Sequence, residues 1–203
     1  MTDGPADAEG VLAPAEDVGE IRPLTLFFAD LVDSTALSTQ VDPETYHLVV
    51  GRYREQVVRI VGGHDGHIGS TKGDGLLAVF GHPRTRDDDA RRAVQAGLLI
   101  TREVSRLSDQ SQRRFGFGVN VRVGVHRGLV YLDATQGDFS GLAANVATGI
   151  SGFAPPGAVV VSDAVETLVR NDFELEACGP ASVKGVEEPV IYFLVVSERA
   201  PAG

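Results

Sequence analysis

The stretch that decides the fold is Ile68-Gly69-Ser70-Thr71-Lys72-Gly73-Asp74-Gly75-Leu76-Leu77-Ala78-Val79-Phe80. Glycines flank Asp74, and glycine permits a tight turn and a close approach of the backbone to a ligand. Leu76 to Phe80 is a short apolar run bounded by turn residues, which is typical of a buried strand. The stretch therefore predicts an antiparallel hairpin that turns at Lys72-Gly73-Asp74 and carries a carboxylate at its rim.

A second aspartate has an equivalent position earlier in the chain. Leu24 to Ala29 has the pattern of a buried strand, and Asp30 follows it directly, before Asp33-Ser34-Thr35. Mg²⁺ binds through one or two carboxylates and completes its coordination shell with water and substrate phosphates. Two aspartates at strand ends therefore predict one shared site for a hard divalent metal and a ligand that carries phosphate.

Apolar spacing and turn residues predict the remaining elements. One helix begins at Pro43 and ends at Gly62-Gly63, and another begins at the acidic run 87–89. The polar segment Ser108 to Arg114 is predicted to be a loop, and Arg127-Gly128 to turn one strand into the next. Later segments predict a short helix at 142–152, a strand at 159–161, a helix at 163–169 and an antiparallel pair of 173–177 with 190–195. This order predicts an α+β, ferredoxin-like fold with a mainly antiparallel sheet and the helices on one face.

The whole chain has 203 residues and a formal net charge of −10. That charge argues against direct binding of nucleic acid, because neutralising phosphates requires clustered Lys and Arg. No apolar run approaches the roughly 18 residues that a membrane span needs, and the start lacks a signal-peptide pattern. We therefore predict a cytoplasmic protein without membrane contact. Cys178 is the only cysteine, which excludes an internal disulfide.

Composition divides the chain into one domain and two tails. Residues 1–20 are acidic, contain no Lys or Arg and have little apolar content, which predicts a disordered tail. Residues 21–197 are predicted to form the domain, and residues 198–203 a short C-terminal tail.

Four short motifs, in this order, resemble the class III nucleotidyl cyclase catalytic domain. They are Phe28-Ala29-Asp30-Leu31 followed by Ser34-Thr35, then Gly73-Asp74-Gly75 before a strand, Gly124-Val125-His126-Arg127-Gly128, and Asp138 seven residues before Asn145. The resemblance covers Leu24 to Val196. It implies a ferredoxin-like sheet, divalent Mg²⁺ or Mn²⁺, and conversion of ATP or GTP to a 3′,5′-cyclic nucleotide and pyrophosphate in signalling. His126 is interpreted as a structural hydrogen-bonding residue and not as a base.

The resemblance also implies a function for individual residues. Asp30 and Asp74 would hold the metal ions, and the turn from Leu31 through Ser34 and Thr35 would cradle phosphate. Asp138 would accept a hydrogen bond from the adenine amino group, Asn145 would orient the ribose, and Lys184 would contact phosphate. In this family the site lies between two chains packed head to tail, as a homodimer or with another cyclase chain. A monomer would then have no complete site.

Two positions depart from the family pattern. Ser70 stands where the family has a purine-selecting lysine, and Gly149 where it has a transition-state arginine. A missing arginine on a transferring phosphoryl group costs on the order of 10³–10⁵ in rate. Lys72, two residues from Ser70, is predicted to replace the lysine in part. Because glycine inside a helix costs about 1 kcal/mol, an arginine at 149 is expected to leave the helix unharmed.

Two hypotheses therefore stand side by side. In the first, the chain is a cyclase of weak activity. In the second, it is a cyclase-like module that binds nucleotide or dimerises to regulate a partner, without turnover.

Overall fold

The computed structural model describes residues 19–132, 139 and 141–200. The elements, in chain order, are β1 (Glu20–Leu31), α1 (Ser34–Gln40), α2 (Pro43–Gly63), β2 (His67–Lys72), β3 (Gly75–Phe80), α3 (Asp89–Phe115), β4 (Val121–Leu132), α4 (Leu142–Ser151), β5 (Val159–Ser162), α5 (Asp163–Val169), β6 (Phe173–Ala181) and β7 (Val190–Glu198). The predicted acidic tail lies outside the described residues as far as residue 18, and β1 begins at Glu20. Residues 201–203 of the predicted C-terminal tail also lie outside them.

Within the described residues, the strands form one seven-stranded sheet in the order β2-β3-β1-β4-β5-β7-β6. Every neighbouring pair is antiparallel except β4 and β5, which run parallel. The first four strands in this order, with α2 and α3 between them in the chain, form the ferredoxin-like core. The α+β prediction is confirmed.

The prediction that the helices cover one face of the sheet is wrong. Side chains of α2, α3 and α5 pack with Phe27 and Ala29 of β1, whereas α4 packs with Leu24 and Leu26 on the opposite face. All six residues of β3 are buried. A continuous apolar run, in contrast to an alternating one, requires cover on both faces of the sheet. The helix α4 provides that cover, and it approaches β4 so closely that a Cβ on Gly124 would overlap its backbone.

The predicted start of α2 at Pro43 is confirmed. Asp42 caps the helix, because its carboxylate accepts a hydrogen bond of 3.1 Å from the backbone N–H of Thr45. Proline fits the first helical position since the N–H that it lacks has no partner there.

The segment Ser108 to Arg114 is helical and not a loop. It forms the last two turns of α3, which end at Phe115 with Gly116 in the left-handed conformation. Leu107 and Ser111 continue the buried side of the helix. Because residue 111 is a serine, the apolar repeat is interrupted there, and the sequence pattern did not predict a helix.

The predicted turn at Arg127-Gly128 is also wrong, because β4 continues to Leu132 as one strand. The first half of β1 supplies its partner, with Leu24 opposite Gly128 and Glu20 opposite Leu132. A 12-residue ladder between β1 and β4 therefore forms the centre of the sheet.

Candidate active site

Asp30 and Asp74 lie at the same end of two neighbouring strands. In the antiparallel pairing of β1 with β3, Ala29 lies opposite Leu76, so Asp30 is the next residue on β1 and Asp74 comes just before β3. Gly73, with φ of 64°, makes the turn that precedes Asp74. The sheet thus brings together the two strand-end carboxylates that the sequence singled out.

Each carboxylate has one buried oxygen without a hydrogen-bond partner among the described residues, Oδ1 of Asp30 and Oδ2 of Asp74. Burial raises the pKa of Asp30; the charge of Arg122 opposes this rise, and the charge of Asp74 adds to it. Two carboxylates of like charge, each with a buried oxygen that lacks a partner among the described residues, favour a divalent cation, because the cation neutralises both charges. Among the described residues, no group of three or more His, Cys, Asp or Glu side chains is placed to hold a metal ion by itself. The donor set therefore fits a hard cation that also takes oxygen from phosphate.

Arg122 belongs to the site although the sequence reading missed it. It is the Cα partner of Asp30 across the β1–β4 ladder, so both side chains leave the same face of the sheet. Its Nη1 donates a 3.1 Å hydrogen bond to the carbonyl of Gly152, while its buried Nε has no partner among the described residues. The available signal was an arginine at a polar position of a strand otherwise rich in valine. Only the register of β4 against β1 shows which residue it faces.

Two grooves flank the carboxylates, and α1 lies between them. An open groove of about 580 Å³ is lined by Asp30, Leu31, Asp33, Ser34, Thr35, Ala36, Thr39 and Arg122. A second, of about 360 Å³, is lined by Ser34, Thr35, Ser38, Tyr46, His47, Val50, Arg54, Gly73 and Asp74. Ser34 and Thr35 line both grooves, so the structure brings these two predicted residues beside the carboxylates.

The turn predicted over Leu31 to Thr35 continues into a short helix, α1, which the sequence reading missed. Asp33 takes a left-handed conformation, with φ of 54°, and α1 starts at Ser34. The segment lacks apolar periodicity and α1 buries none of its residues, so it gave no helical signal.

The other predicted site residues form a separate group. Asn145 is exposed on α4, and exposed Lys184 lies in the segment after β6. This segment runs beside α4, because a Cβ on Gly185 would lie 3.9 Å from Nδ2 of Asn145. Exposed Ser70 lies on β2, and none of these three residues is among the described residues that line the two grooves.

Two of the predicted residues cannot be placed in the site. Asp138 lies outside the described residues, as does the side chain of Lys72. The backbone pairing of β2 with β3 is continuous from Ser70, opposite Leu77, to Lys72, opposite Gly75. The only register shift in this pair lies earlier, between Ile68 and Ser70.

Gly149 is packed too tightly for a larger residue. A Cβ at this position would overlap Cγ1 of Val183, which is 6% exposed and belongs to the same core cluster as Val146 and Ile150 of α4. The expectation that arginine would leave the helix unharmed is therefore wrong. It considered helix propensity alone, whereas the contact with Val183 comes from a segment more than thirty residues later.

His126 is a structural residue, as interpreted from the sequence. Its Nδ1 lies 2.7 Å from Oγ of Ser162 on the neighbouring strand β5. Burial lowers the pKa of His126 to about 4, although Asp163 opposes the shift. The ring is therefore neutral at pH 7 and bonded to a serine outside the two grooves.

Comparison with known proteins assigns the chain to a family. The profile of the adenylate and guanylate cyclase catalytic domain matches residues 17–196. The chain belongs to this cyclase family. It is 29% identical over 171 residues to a putative adenylate cyclase 3 of Rhizobium meliloti, covering 83% of this chain and 27% of that protein. The chain spans less than half the length of the first curated relatives that it matches.

Solved cyclase structures share the fold. The adenylyl cyclase CyaB from P. aeruginosa has a TM-score of 0.82 at 24% identity, with 91% of this chain and 99% of that chain covered. The guanylyl cyclase Cya2 has the same score and identity, with 91% and 97% covered. Among the described helices of this cyclase-family chain, none has the length and apolar character required to cross a membrane.

Proposed function

We propose that the chain is a nucleotide cyclase module that binds a nucleoside triphosphate together with Mg²⁺ or Mn²⁺ and cyclises it slowly. The observation that carries this proposal is a pair of buried carboxylate oxygens on Asp30 and Asp74, without hydrogen-bond partners in the described part of the chain, at the edge of two polar grooves. Membership of the cyclase family supports the reaction type. The reaction joins the ribose 3′-oxygen to the α-phosphorus and releases pyrophosphate.

The residues of this chain have different functions in the proposed site. Asp30 and Asp74 hold the divalent cations, which when bound lower the pKa of the ribose 3′-hydroxyl and neutralise the triphosphate charge. Arg122 and Arg54 line the two grooves beside the carboxylates and supply positive charge to the phosphates. The hydroxyls of Ser34 and Thr35, which line both grooves, donate hydrogen bonds to phosphate oxygens.

The remaining groups come from a second chain. Asn145 orients the ribose, Lys184 contacts phosphate, and Asp138 selects the purine, with its amino-accepting carboxylate favouring ATP over GTP. This division is supported by the fact that neither Asn145 nor Lys184 is among the described residues that line the carboxylate grooves. A head-to-tail homodimer, or a heterodimer with another cyclase chain, completes the site. The proposed location is the cytoplasm.

A second candidate function is nucleotide binding or dimerisation without turnover. Two observations favour it: exposed Ser70 at the position of the purine-selecting lysine, and Gly149 at that of the arginine. The overlap of a Cβ at residue 149 with Val183 also favours this candidate, because the packing of Val183 leaves no room for an arginine there. Without that donor, cyclisation is slower by a factor on the order of 10³–10⁵.

The test combines a binding assay with a turnover assay on the 203-residue chain. Binding of a non-cyclisable ATP analogue is measured with Mn²⁺, with Mg²⁺ and with EDTA, and cyclic product is measured from ATP and from GTP. Asp30→Ala is the blank. Asp109→Ala, an exposed aspartate on α3, is the matched control.

The proposal expects metal-dependent binding that Asp30→Ala abolishes and Asp109→Ala leaves unchanged, together with product above the blank. Metal-dependent binding without product would favour the second candidate. Binding that is unchanged by EDTA and by Asp30→Ala would contradict the proposed metal site and, without product, leave nucleotide binding without turnover as the function.

A further inference from the structure

Another groove, which we call the distal groove, lies at the end of the β2–β3 hairpin that is far from Asp74. It has a volume of about 340 Å³, and its charged and imidazole side chains are those of Asp65, His67, His82, Arg84, Arg86 and Arg92. Asp74 comes just before β3, whereas Gly81 of the groove follows it, and the six residues of β3 span about 20 Å. None of the described residues that line the distal groove has a function in the proposed site.

Positive charge predominates in the distal groove, although the chain as a whole has a net charge of −10. Three arginines line it, and Asp65 is the one carboxylate among the described residues that do. Arg92 is already compensated, because its guanidinium forms an ion pair with buried Asp89. The charges that a ligand could use are therefore those of Arg84 and Arg86.

Arg84 and Arg86 are both exposed on the loop between β3 and α3. Arg84 forms no ion pair with any of the described residues. Nη1 of Arg86 donates to Oδ2 of Asp65 at 2.8 Å, but the two side chains are 55% and 62% exposed. An exposed ion pair of this kind is weak, because water screens both charges. An anion can therefore replace the carboxylate of Asp65 as the partner of Arg86.

A fourth arginine fixes the hydrogen bonding of His82. Arg22 on β1 is partly buried, and its Nη1 donates a 2.8 Å hydrogen bond to the carbonyl of Pro83. Its Nη2 lies 3.3 Å from Nδ1 of His82, and this nitrogen accepts because arginine has donors only. Burial lowers the pKa of His82, and the neighbouring His67 and Arg22 lower it further, so the ring is neutral at pH 7. Neutral His82 then carries its proton on Nε2, which adds an N–H donor to the groove.

We propose that the distal groove is a metal-independent binding site for a small phosphoryl anion, held by Arg84, Arg86 and the imidazole of His82. Guanidinium groups suit phosphoryl oxygens, since their N–H donors form charge-assisted hydrogen bonds with them. A phosphoryl group has an oxygen for each of these three side chains, whereas a carboxylate has one too few. Free phosphate and the pyrophosphate that the proposed reaction releases both belong to this class. The inference stands apart from Asp30 and Asp74, because the binding needs no cation.

The experiment follows the backbone amide NMR signals of the isotopically labelled whole chain during titration with inorganic phosphate and with pyrophosphate. EDTA is present throughout, so neither anion can bind through a metal ion, and sodium chloride at matched ionic strength controls for screening. The double variant Arg84→Gln with Arg86→Gln removes the two charges, and Asp65→Asn removes the competing carboxylate. Arg102→Gln, at an exposed arginine of α3 outside the distal groove, is the matched control.

We expect saturable shifts at the amides of the distal groove, with pyrophosphate bound more tightly than phosphate because it carries more charge. Loss of both arginines should weaken binding roughly tenfold or more, since each supplies charge-assisted hydrogen bonds. Asp65→Asn should strengthen binding by up to about fivefold, because Arg86 then has no competing carboxylate. Asparagine tolerates the left-handed conformation of residue 65, which has a φ of 58°. Arg102→Gln should leave both affinities unchanged.

Shifts that sodium chloride reproduces, or that the double variant retains at parental affinity, would overturn the inference. A weaker affinity in Asp65→Asn would overturn it as well, and so would shifts confined to the two grooves beside Asp30 and Asp74. Metal-dependent binding of the ATP analogue should be the same in the double variant as in the parent. A parent chain that binds pyrophosphate in the distal groove but no ATP analogue with Mn²⁺ would contradict the proposed function and leave this inference intact.

Discussion

At the scale of single residues, the buried charge of Asp30 in the candidate site lowers the stability of the folded chain. Asp30 is half-buried, and its raised pKa means that the folded chain binds a proton there more tightly than the unfolded chain does. The stabilising effect of that proton is present at low pH and is lost as pH rises through the raised pKa. At neutral pH the metal-free chain therefore holds a buried charge that folding does not favour.

Asp30→Asn is predicted to raise the free energy of unfolding of the metal-free chain by about 0.5–2 kcal/mol at pH 7. Asparagine has nearly the same shape and no charge to desolvate. The gain should shrink as pH falls through the raised pKa, because the parent carboxyl then becomes neutral as well. Urea unfolding in EDTA at pH 7 and pH 4.5 measures both effects. A variant less stable than the parent at pH 7 would show that the attraction of the Arg122 charge outweighs the burial of Asp30.

The sequence singled out the two strand-end aspartates but not Arg122. Each aspartate follows or precedes an apolar run, so its place at a strand end can be read locally. Arg122 reaches Asp30 through a pairing between residues 92 positions apart in the chain.

At the scale of elements, α4 shows how one residue constrains another. Val183 occupies the space into which a Cβ at Gly149 would project, and both belong to the contact between α4 and the segment after β6. Helix propensity favours replacing the glycine, by about 1 kcal/mol. Overpacking opposes it, by about 1–3 kcal/mol, and is the larger effect.

Gly149→Arg alone is therefore predicted to destabilise the chain by up to about 2 kcal/mol. Adding Val183→Ala should recover most of this loss, because the smaller side chain makes room for the new Cβ. A double-mutant cycle measured by urea unfolding, with Val183→Ala as the single control, would show the coupling as non-additive free energies. Additive effects would contradict the proposed overlap. The triple variant that combines Gly149→Arg, Val183→Ala and Ser70→Lys is expected to have a higher cyclase turnover than the parent chain.

Element boundaries were predicted where the determinants are local and missed where they are distant. The start of α2 depends on Asp42 and Pro43, which are adjacent in the sequence. By contrast, β4 continues beyond Arg127-Gly128 because the first half of β1 pairs with it. The glycine there looked like a turn, since nothing nearby revealed that partner.

At the scale of the whole molecule, the predicted site residues fall into two groups on one chain. Asp30 and Asp74 adjoin the two grooves, whereas Asn145 on α4 and Lys184 beside that helix are not among the described residues that line them. In a head-to-tail dimer with twofold symmetry, each interface site takes one group from each chain. Such a dimer has two equivalent sites. A substitution in either group of residues, when both chains carry it, disables both sites.

Mixing two defective variants is therefore predicted to restore nucleotide binding. Asp30→Ala removes the carboxylate group from both sites of its dimer, and Asn145→Ala impairs the opposite group. After exchange of subunits at equal concentration, half of the dimers are mixed, and each has one intact site and one doubly damaged site. Metal-dependent binding of the ATP analogue, measured by equilibrium dialysis, should then reach about a quarter of the parental site number. A mixture that binds no more than the mean of its two components would contradict the shared site and favour a site within one chain.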